Sequence, residues 1–421
     1  GEDLKKLAIS QIDMVIVDLY PFQETVNSGE NHREIIEKID IGGVSLIRAS
    51  AKNYNDVLIV PSISDLDSAI DLIVSKDGGT EISDRLKFAK KAFNLTLVYE
   101  SAIAKYFNDD GESIPITFNY NIERSKKLRY GENPHQEGIY YGELEDLFDQ
   151  LNGKELSYNN LLDIDAAVNL MNEFEAPSFG ILKHNNACGF SSDKNLEKSW
   201  DKALAGDPIS AFGGVIITNK HVDINIAKKI NKLFFEVLIA PSFDKESIEL
   251  LKIKKNRIIL KKKNANLGTM SFRTVLNGIL CQQRDFITDQ NNVNIVSNLN
   301  VSEVQMNDLI FASKICKHTK SNAIVLVKDK QLLGSGCGQT SRVDALKQAI
   351  MKAHHFGFSL KGAVMASDAF FPFPDCVEIA DQEGINAIIQ PGGSKNDQLS
   401  IDYCNENDIA MIFTGNRHFK H

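Results

Sequence analysis

GILKHNNACGF, residues 180–190, opens as an apolar strand and breaks at a basic pair, two asparagines and a Cys-Gly. A helix-like stretch ending at Lys202 and Ala203 follows, and then DPISAFGGVII (207–217). The same order returns downstream. AIVLVKDKQLLGSGCGQ (323–339) leads through DALKQAIMKAHH (344–355) to KGAVMASDAFFPF (361–373). Each run reads strand, Cys-Gly turn, helix, strand, with an Asp followed shortly by Ala-Phe. This echo predicts two related α/β/α halves, about 125–300 and 301–421. No Pro-, Gly- or Ser-rich linker separates them, so they are expected to pack closely.

Upstream, residues 12–60 alternate strand-like runs (IDMVIVDLY, NDVLIVP) with a helix-like one (NHREIIEKID), the rhythm of β-α-β units around a parallel sheet. Ile12 to Leu19 reads as a buried strand. A helical pattern from Glu81 to Phe107 ends at the polar cluster Asn108-Asp109-Asp110-Gly111, a candidate boundary. The division expected is therefore 1–120 and 121–421. The chain opens on Gly1 and its first strand lacks upstream partners, so a preceding N-terminal piece is expected.

The length corresponds to two or three domains at a nominal ~150 residues each. Apolar residues at 43% and charged residues at 24% exclude a largely disordered, collagen-like or fibrous chain. The formal charge of -9 argues against broad binding to nucleic acid or anionic membrane, while leaving room for a local basic pocket. No run approaches the ~18 apolar residues that a membrane span needs. Six scattered cysteines, never C-x-x-C, and no signal peptide point to a reducing cytoplasm.

Several loops concentrate functional groups. Leu128 to Gln136 (LRYGENPHQ) lacks apolar periodicity; Arg129 suits bidentate recognition of phosphate or carboxylate and Tyr130 offers a ring for stacking, although an ordinary surface loop is an equal reading. Lys183-His184 follows a strand at the place where α/β folds open their ligand crevices. His184 is the natural general base, and a neighbouring ammonium lowers its proton affinity while facing a developing oxyanion; taken alone, a solvated Lys beside a capping His is the commoner case. Gly334-Ser335-Gly336-Cys337-Gly338 precedes a helix opened by Arg342, so its amides and that cation suit an anion, but the spacing is not a dinucleotide signature and a tight turn is the simpler reading. Ser367 to Asp375 (SDAFFPFPD) is either buried filling or a flat aromatic cleft with Asp375 at a polar edge. Thr414 to Phe419 places another cation, Arg417, near the end. Cys316-x-His318 and His354-His355 lack further ligands at recognised spacing, and the H-x-E and P-C-x-x-C set of zinc deaminases is missing, so no zinc is expected.

LRYGENPHQ, KHNNACG and SDAFFPF together resemble the AICAR transformylase/IMP cyclohydrolase family, and the likeness covers the whole chain. IDMVIVDLYPF and IDIGGVSLIRASAKN look like the second half of its cyclohydrolase domain. The resemblance implies a partial methylglyoxal-synthase-like cyclohydrolase domain, then a transformylase domain of two cytidine-deaminase-like α/β/α halves without zinc. It implies 5-aminoimidazole-4-carboxamide ribonucleotide (AICAR) and 10-formyltetrahydrofolate as substrates, and a homodimer with shared transformylase sites. By motif, Lys183 and His184 are the catalytic pair. Arg129, Tyr130, Gly213, Glu236, Asn322, Arg342, Phe370 and Arg417 bind the nucleotide, and Phe212, Val343, Pro372 and Asp375 face the folate. Tyr20, Asp40 and Lys52 belong to ring closure. The family's phosphate-binding start would lie upstream of Gly1, Asp18 stands where Asn is usual, and Ala187 where Pro is typical; Glu236 takes a place where Asp also occurs. The chain as given is thus expected to cyclise poorly while still transferring formyl groups. A noncatalytic nucleotide-sensing module is the alternative, disfavoured by the retained Lys183 and His184.

Overall fold

The structure, a computed structural model, describes residues 10–108, 117–122, 124–265, 267–291 and 293–421. Asp109 to Gly111 of the expected boundary lie outside them. The chain divides into two units, Gly1–Glu123 and Arg124–His421.

In the first unit β1 (Met14–Ile16) pairs in parallel with β2 (Leu58–Val60). The crossover between them carries α1 (Phe22–Asn27), α2 (His32–Ile36) and α3 (Gly42–Lys52); α4 (Leu66–Ser75) and α5 (Ile82–Asn108) follow. Ile47 and Ala51 of α3 meet Phe88, Ala89 and Ala92 of α5 over β2, each set spaced to share one helical face. The strand expected over Ile12 to Leu19 is shorter and only half-buried. Val15, Val17 and Leu19 pack inward while Met14 and Ile16 are exposed, because β1 is covered on one face only and its side chains alternate.

In the second unit a hairpin, β3 (Ser125–Lys127) and β4 (Ile139–Tyr141), precedes a ten-element pattern that occurs twice. The first copy is β5 (Phe148–Asn152), α6 (Tyr158–Met171), β6 (Ser178–Lys183), β7 (Asn186–Ser192), α7 (Leu196–Gly206), β8 (Val215–Thr218), α8 (Ile224–Ile230), β9 (Val237–Ala240), α9 (Lys245–Lys252) and β10 (Ile258–Lys262). A hairpin, β11 (Met270–Val275) and β12 (Gly278–Gln283), intervenes. The second copy is β13 (Asn294–Ile295), α10 (Glu303–Lys317), β14 (Ile324–Lys328), β15 (Gln331–Gly336), α11 (Arg342–His355), β16 (Val364–Ser367), α12 (Asp375–Gln382), β17 (Ala387–Gln390), α13 (Asp397–Glu406) and β18 (Ala410–Phe413).

Among the described residues the two copies form one twelve-stranded sheet, ordered β13-β18-β17-β16-β14-β15-β7-β6-β8-β9-β10-β5. Gln331 pairs with Ser191 at the central seam. Within each copy the hairpin strands are antiparallel, the next three strands run parallel, and the copy's first strand closes the outer edge antiparallel. Side chains alternate between faces: Val325 and Val327 join α6 and α10 on one side, Ile324 and Leu326 join α11 to α13 on the other. In the first copy Ile216 likewise faces α7 and α8.

Of the expected Cys-Gly turns, Cys337-Gly338 does lie between β15 and α11, with Gly338 at φ 65°, but Cys188-Gly189 lies inside β7, and neither reverses a hairpin. Each hairpin instead reverses in two residues, His184-Asn185 (φ 51° and 64°) and Asp329-Lys330 (φ 51° and 53°), between the pairs Lys183–Asn186 and Lys328–Gln331. Two consecutive left-handed residues are the type I′ geometry that matches strand twist, and His, Asn and Asp tolerate it better than most side chains. Gly189 and Gly334 lie inside β7 and β15. They are glycine because the next helix crosses so closely that a Cβ would stand 1.9 Å from Ala203 O and 2.3 Å from Ala349 O. The Asp-Ala-Phe echo is also not a structural equivalence: Asp207 to Phe212 precede β8, whereas Asp368 to Phe370 follow β16.

Candidate active site

Strand direction decides which loops share a rim. The end of β6, the starts of β8, β9 and β14, and the ends of β15, β16 and β18 all lie at one rim of the sheet. That rim carries Lys183 and His184 at the β6–β7 turn, Phe212 and Gly213 before β8, and Glu236 before β9. It also carries Asn322 before β14, Arg342 and Val343 at the start of α11, Phe370, Pro372 and Asp375 after β16, and Arg417 after β18. Arg129 and Tyr130 sit on the β3–β4 loop, which is tied to α6 where Asn159 Nδ2 donates to Glu132 O (3.1 Å). The next residue, Asn160, donates to Glu236 Oε2 (2.9 Å).

These residues do not form one cluster. β9 and β18 are eight strands apart in the sheet order, roughly 38 Å at ~4.8 Å per strand. Lys183, His184, Phe212, Gly213 and Glu236 form one group; Asn322, Arg342, Phe370 and Arg417 form another.

In the first group Lys183 Nζ donates to Phe212 O (2.9 Å), and Gly213, at φ 76°, donates its N–H to Phe234 O (2.8 Å). Phe212 is exposed and its ring lies 4.8 Å from that of Phe234. Sequence reasoning missed Asp163, whose Oδ1 accepts from Asn185 N (2.7 Å) and so holds the His184-Asn185 turn to α6. Burial pushes the Asp163 carboxyl up from the usual carboxylate range, against the Asn185 amide and the charge of His184. The internal repeat explains it. Asp308 of α10 accepts from Asp329 N and Lys330 N (2.8 Å each) in the second copy, so the aspartate is a device of the fold shared by both hairpin turns. A carboxylate on the apolar side of a helical run was the signal available in LLDIDAAV.

In the second group the expected anion cradle is already filled. Gly338 N donates to Lys320 O (2.8 Å) and Cys337 N to Gln348 Oε1 (2.9 Å). The buried Arg342 fork donates to Asp368, to Ser367 Oγ (3.0 Å) and to Asn322 Oδ1 (2.8 Å), so its charge is compensated inside the protein. Asn322 Nδ2 donates onward to Gln339 O (3.0 Å). Of the three phenylalanines only Phe371 is buried; Phe370 and Phe373 are exposed, which favours an open aromatic surface over filling. Asp375 opens α12 and accepts from Cys376 N (2.8 Å). Arg417 is exposed and stacks over Phe419 (4.4 Å), as Arg129 does over Tyr130 (4.7 Å).

His418 anchors the segment that carries Arg417. Its N–H donates to Asp368 O (3.0 Å), and its ring meets Asp285 (2.6 Å) and Asp289 (3.2 Å). Burial opposes the imidazolium, but the bonds to the two carboxylates outweigh it and raise the pKa to about 9. Lys317 Nζ, 3.8 Å from Asp285, is the nearby competing cation. The folded value lies above the ~6.5 of an unfolded histidine, so this stabilisation is complete below about pH 6.5 and is lost as pH rises through about 9. Thermal unfolding should show Tm falling from about pH 6.5 to 9 in the wild type, and a shallower fall in His418→Gln, which has no proton to lose. Parallel curves would remove the imidazolium from this role.

Among the described residues no group of three His, Cys, Asp or Glu side chains is placed to hold a metal. Cys316 is buried, its thiol pushed well above the usual range by burial, and His318 is bonded to Glu173 (3.0 Å).

A family model described as the AICARFT/IMPCHase bienzyme matches residues 50–352, and one described as an MGS-like domain matches residues 1–45. The chain belongs to the AICARFT/IMPCHase bienzyme family. A bifunctional purine biosynthesis protein PurH from Bacteroides thetaiotaomicron is 56% identical over 421 residues, spanning 100% of this chain and 82% of that protein. Proteins of the same name from Persephonella marina and Aquifex aeolicus are each 44% identical, spanning 100% of this chain and 84% of theirs. The fold follows the family's plan: part of an MGS-like domain, then a transformylase domain built on the large mixed sheet.

Within the bienzyme's first unit two of the three expected residues meet. Asp40 Oδ2 accepts from Tyr20 N (3.4 Å) and Oδ1 from Gly43 N (2.7 Å), at the start of α3. Lys52 ends that helix, roughly 15 Å away at ~1.5 Å per residue, and is exposed. Asp18 Oδ1 accepts from Ile63 N (3.1 Å).

Proposed function

We propose that this bienzyme transfers the formyl group of 10-formyltetrahydrofolate to the 5-amino group of AICAR, giving FAICAR and tetrahydrofolate, and that its first unit closes FAICAR to inosine monophosphate with loss of water. These are the final two steps of de novo purine biosynthesis. The observation that carries the reading is the Lys183-His184 turn, held by Asp163 and placed on the rim that also carries the nucleotide and folate motifs.

The amine of AICAR is conjugated with the ring carboxamide and is a poor nucleophile. As its nitrogen attacks the formyl carbon, His184 takes the amine proton. Lys183 stabilises the oxyanion of the tetrahedral intermediate, and its proton serves the folate nitrogen as the carbon–nitrogen bond to the folate breaks. Arg129, Tyr130, Gly213, Glu236, Asn322, Phe370 and Arg417 hold the nucleotide, with Arg342 acting through Asn322. Phe212, Val343, Pro372 and Asp375 face the folate. Tyr20, Asp40 and Lys52 serve ring closure, which needs positioning and proton transfer without a cofactor.

A homodimer with shared transformylase sites is part of this proposal, and the spread of the rim residues over as many as eight strands supports it. The domain division is put at residues 120/121. Free thiols at all six cysteines support a cytoplasmic setting, and no helix among the described residues is long and apolar enough to cross a membrane. Incubation with AICAR and formylfolate should release tetrahydrofolate, followed by its absorbance. Binding without a spectral change would favour a noncatalytic sensor instead.

A further inference from the structure

Beside Glu236, beneath the loop that follows β5, lies a cavity of about 310 Å3 walled by Phe234, Phe235 and Arg257 and rimmed by Lys154, Lys254 and Lys255. Its charge is unusual for an acidic chain. The three lysines are exposed, and none forms an ion pair among the described residues. Arg257 is 2% exposed and stacks over Phe235 (4.3 Å). Its terminal nitrogens donate to Asn231 Oδ1 (2.5 Å) and Leu233 O (2.8 Å), no carboxylate bonds it, and its Nε has no partner among the described residues. A buried guanidinium with an unused donor and no counter-ion is costly unless something anionic reaches it. The one carboxylate on the wall, Glu236, is engaged with Asn160.

The cavity also has a direction. Phe234 is half-exposed and its ring packs on Phe212, so an aromatic surface runs from the folate-facing position to the basic rim. Lysines are mobile point charges on long stems, suited to a flexible chain of carboxylates rather than to one rigid planar anion.

We propose that this cavity seats the outer carboxylates of the formylfolate's γ-linked glutamate tail, an oligocarboxylate whose successive charges meet Lys154, Lys254 and Lys255. The inference rests on the reading of Phe212 as a folate-facing residue. A phosphate, from the nucleotide or free, is the competing anion.

The test is the triple variant Lys154→Ala/Lys254→Ala/Lys255→Ala, whose exposed positions leave the fold intact. KM for pentaglutamyl formylfolate should rise ~10-fold, about the sum of three exposed charge contacts, with kcat and the KM of the monoglutamyl form changed less than ~2-fold. Equal effects on both folates, no effect, or a rise confined to the AICAR KM would each overturn the proposal, the last by assigning the cavity to phosphate. Calorimetry separates this failure from failure of the proposed activity: free penta-γ-glutamate should bind the wild type, at low salt, more tightly than inorganic phosphate and lose that binding in the variant. Binding that is unchanged by the substitutions would sink the assignment whether or not the chain turns over folate.

Discussion

Replacing His184 by asparagine should lower the turnover of formyl transfer by at least ~10²-fold, the usual worth of a positioned general base. Asparagine is chosen because position 184 has φ 51°, a left-handed conformation that Asn adopts readily, so the hairpin keeps its shape. What is lost is a group that accepts a full proton. Thermal unfolding should stay within about 0.5 kcal/mol of the wild type, as for surface substitutions generally. Near-normal turnover would discredit His184 as the base. A fall in turnover together with a large fall in Tm would point to the turn rather than to the imidazole.

The second large effect is structural and lies at the other group of rim residues. Asp368 is 1% exposed and accepts from Arg342 and from Ser321 Oγ (2.5 Å), while its backbone carbonyl takes His418 N–H. Asp368→Asn preserves the shape and removes the charge, leaving a buried guanidinium without a counter-ion. Breaking one side of such a pair costs ~3–5 kcal/mol, which denaturant unfolding reads directly. The double variant Arg342→Met/Asp368→Leu removes both charges and should recover most of that stability. It should nevertheless bind AICAR poorly, since Asn322 loses the Arg342 donor that orients it. A loss below ~1 kcal/mol in the single variant would mean that water or another anion compensates Arg342.

The repeat was visible in the sequence because its apolar strands and the basic residue that ends each hairpin strand recur in order. Glycine is an unreliable mark of its turns, since Gly338 does follow a strand in a bend whereas Gly189 lies within one. Gly189 and Gly334 answer to helices crossing the strands, a long-range cause that local pattern cannot reveal. The first turn uses His184-Asn185, where the asparagine pair marks a reversal in the sequence, whereas the second uses Asp329-Lys330, which tolerates the conformation without announcing it. Arg342 shows the complementary difficulty. Its position after a Gly-rich strand suggested a free cation, and only the fold brings Asp368, distant in the chain, against it. Asp163 was overlooked because a carboxylate within a helix is normally solvated; its partner amide lies on a hairpin whose approach no local pattern foretells. Lys52 was grouped with Tyr20 and Asp40 by motif, although the length of α3 holds it at the other end of the helix.

The twinned hairpins set the two ends of the sheet under unequal demands. Pseudo-symmetry about the β7–β15 seam sends the Lys328–Gln331 reversal to the far margin, on an equivalent aspartate peg but with Asp329 where the first copy carries the His184 imidazole. On the proposed assignment, duplication leaves one margin answerable to reactivity and its twin to folding. Amino-acid replacements should then accumulate lopsidedly across a molecule whose two halves are architecturally alike, and the Lys328–Gln331 reversal is the place where a loop could be spliced in or a label attached while the margin that carries His184 is left as it is.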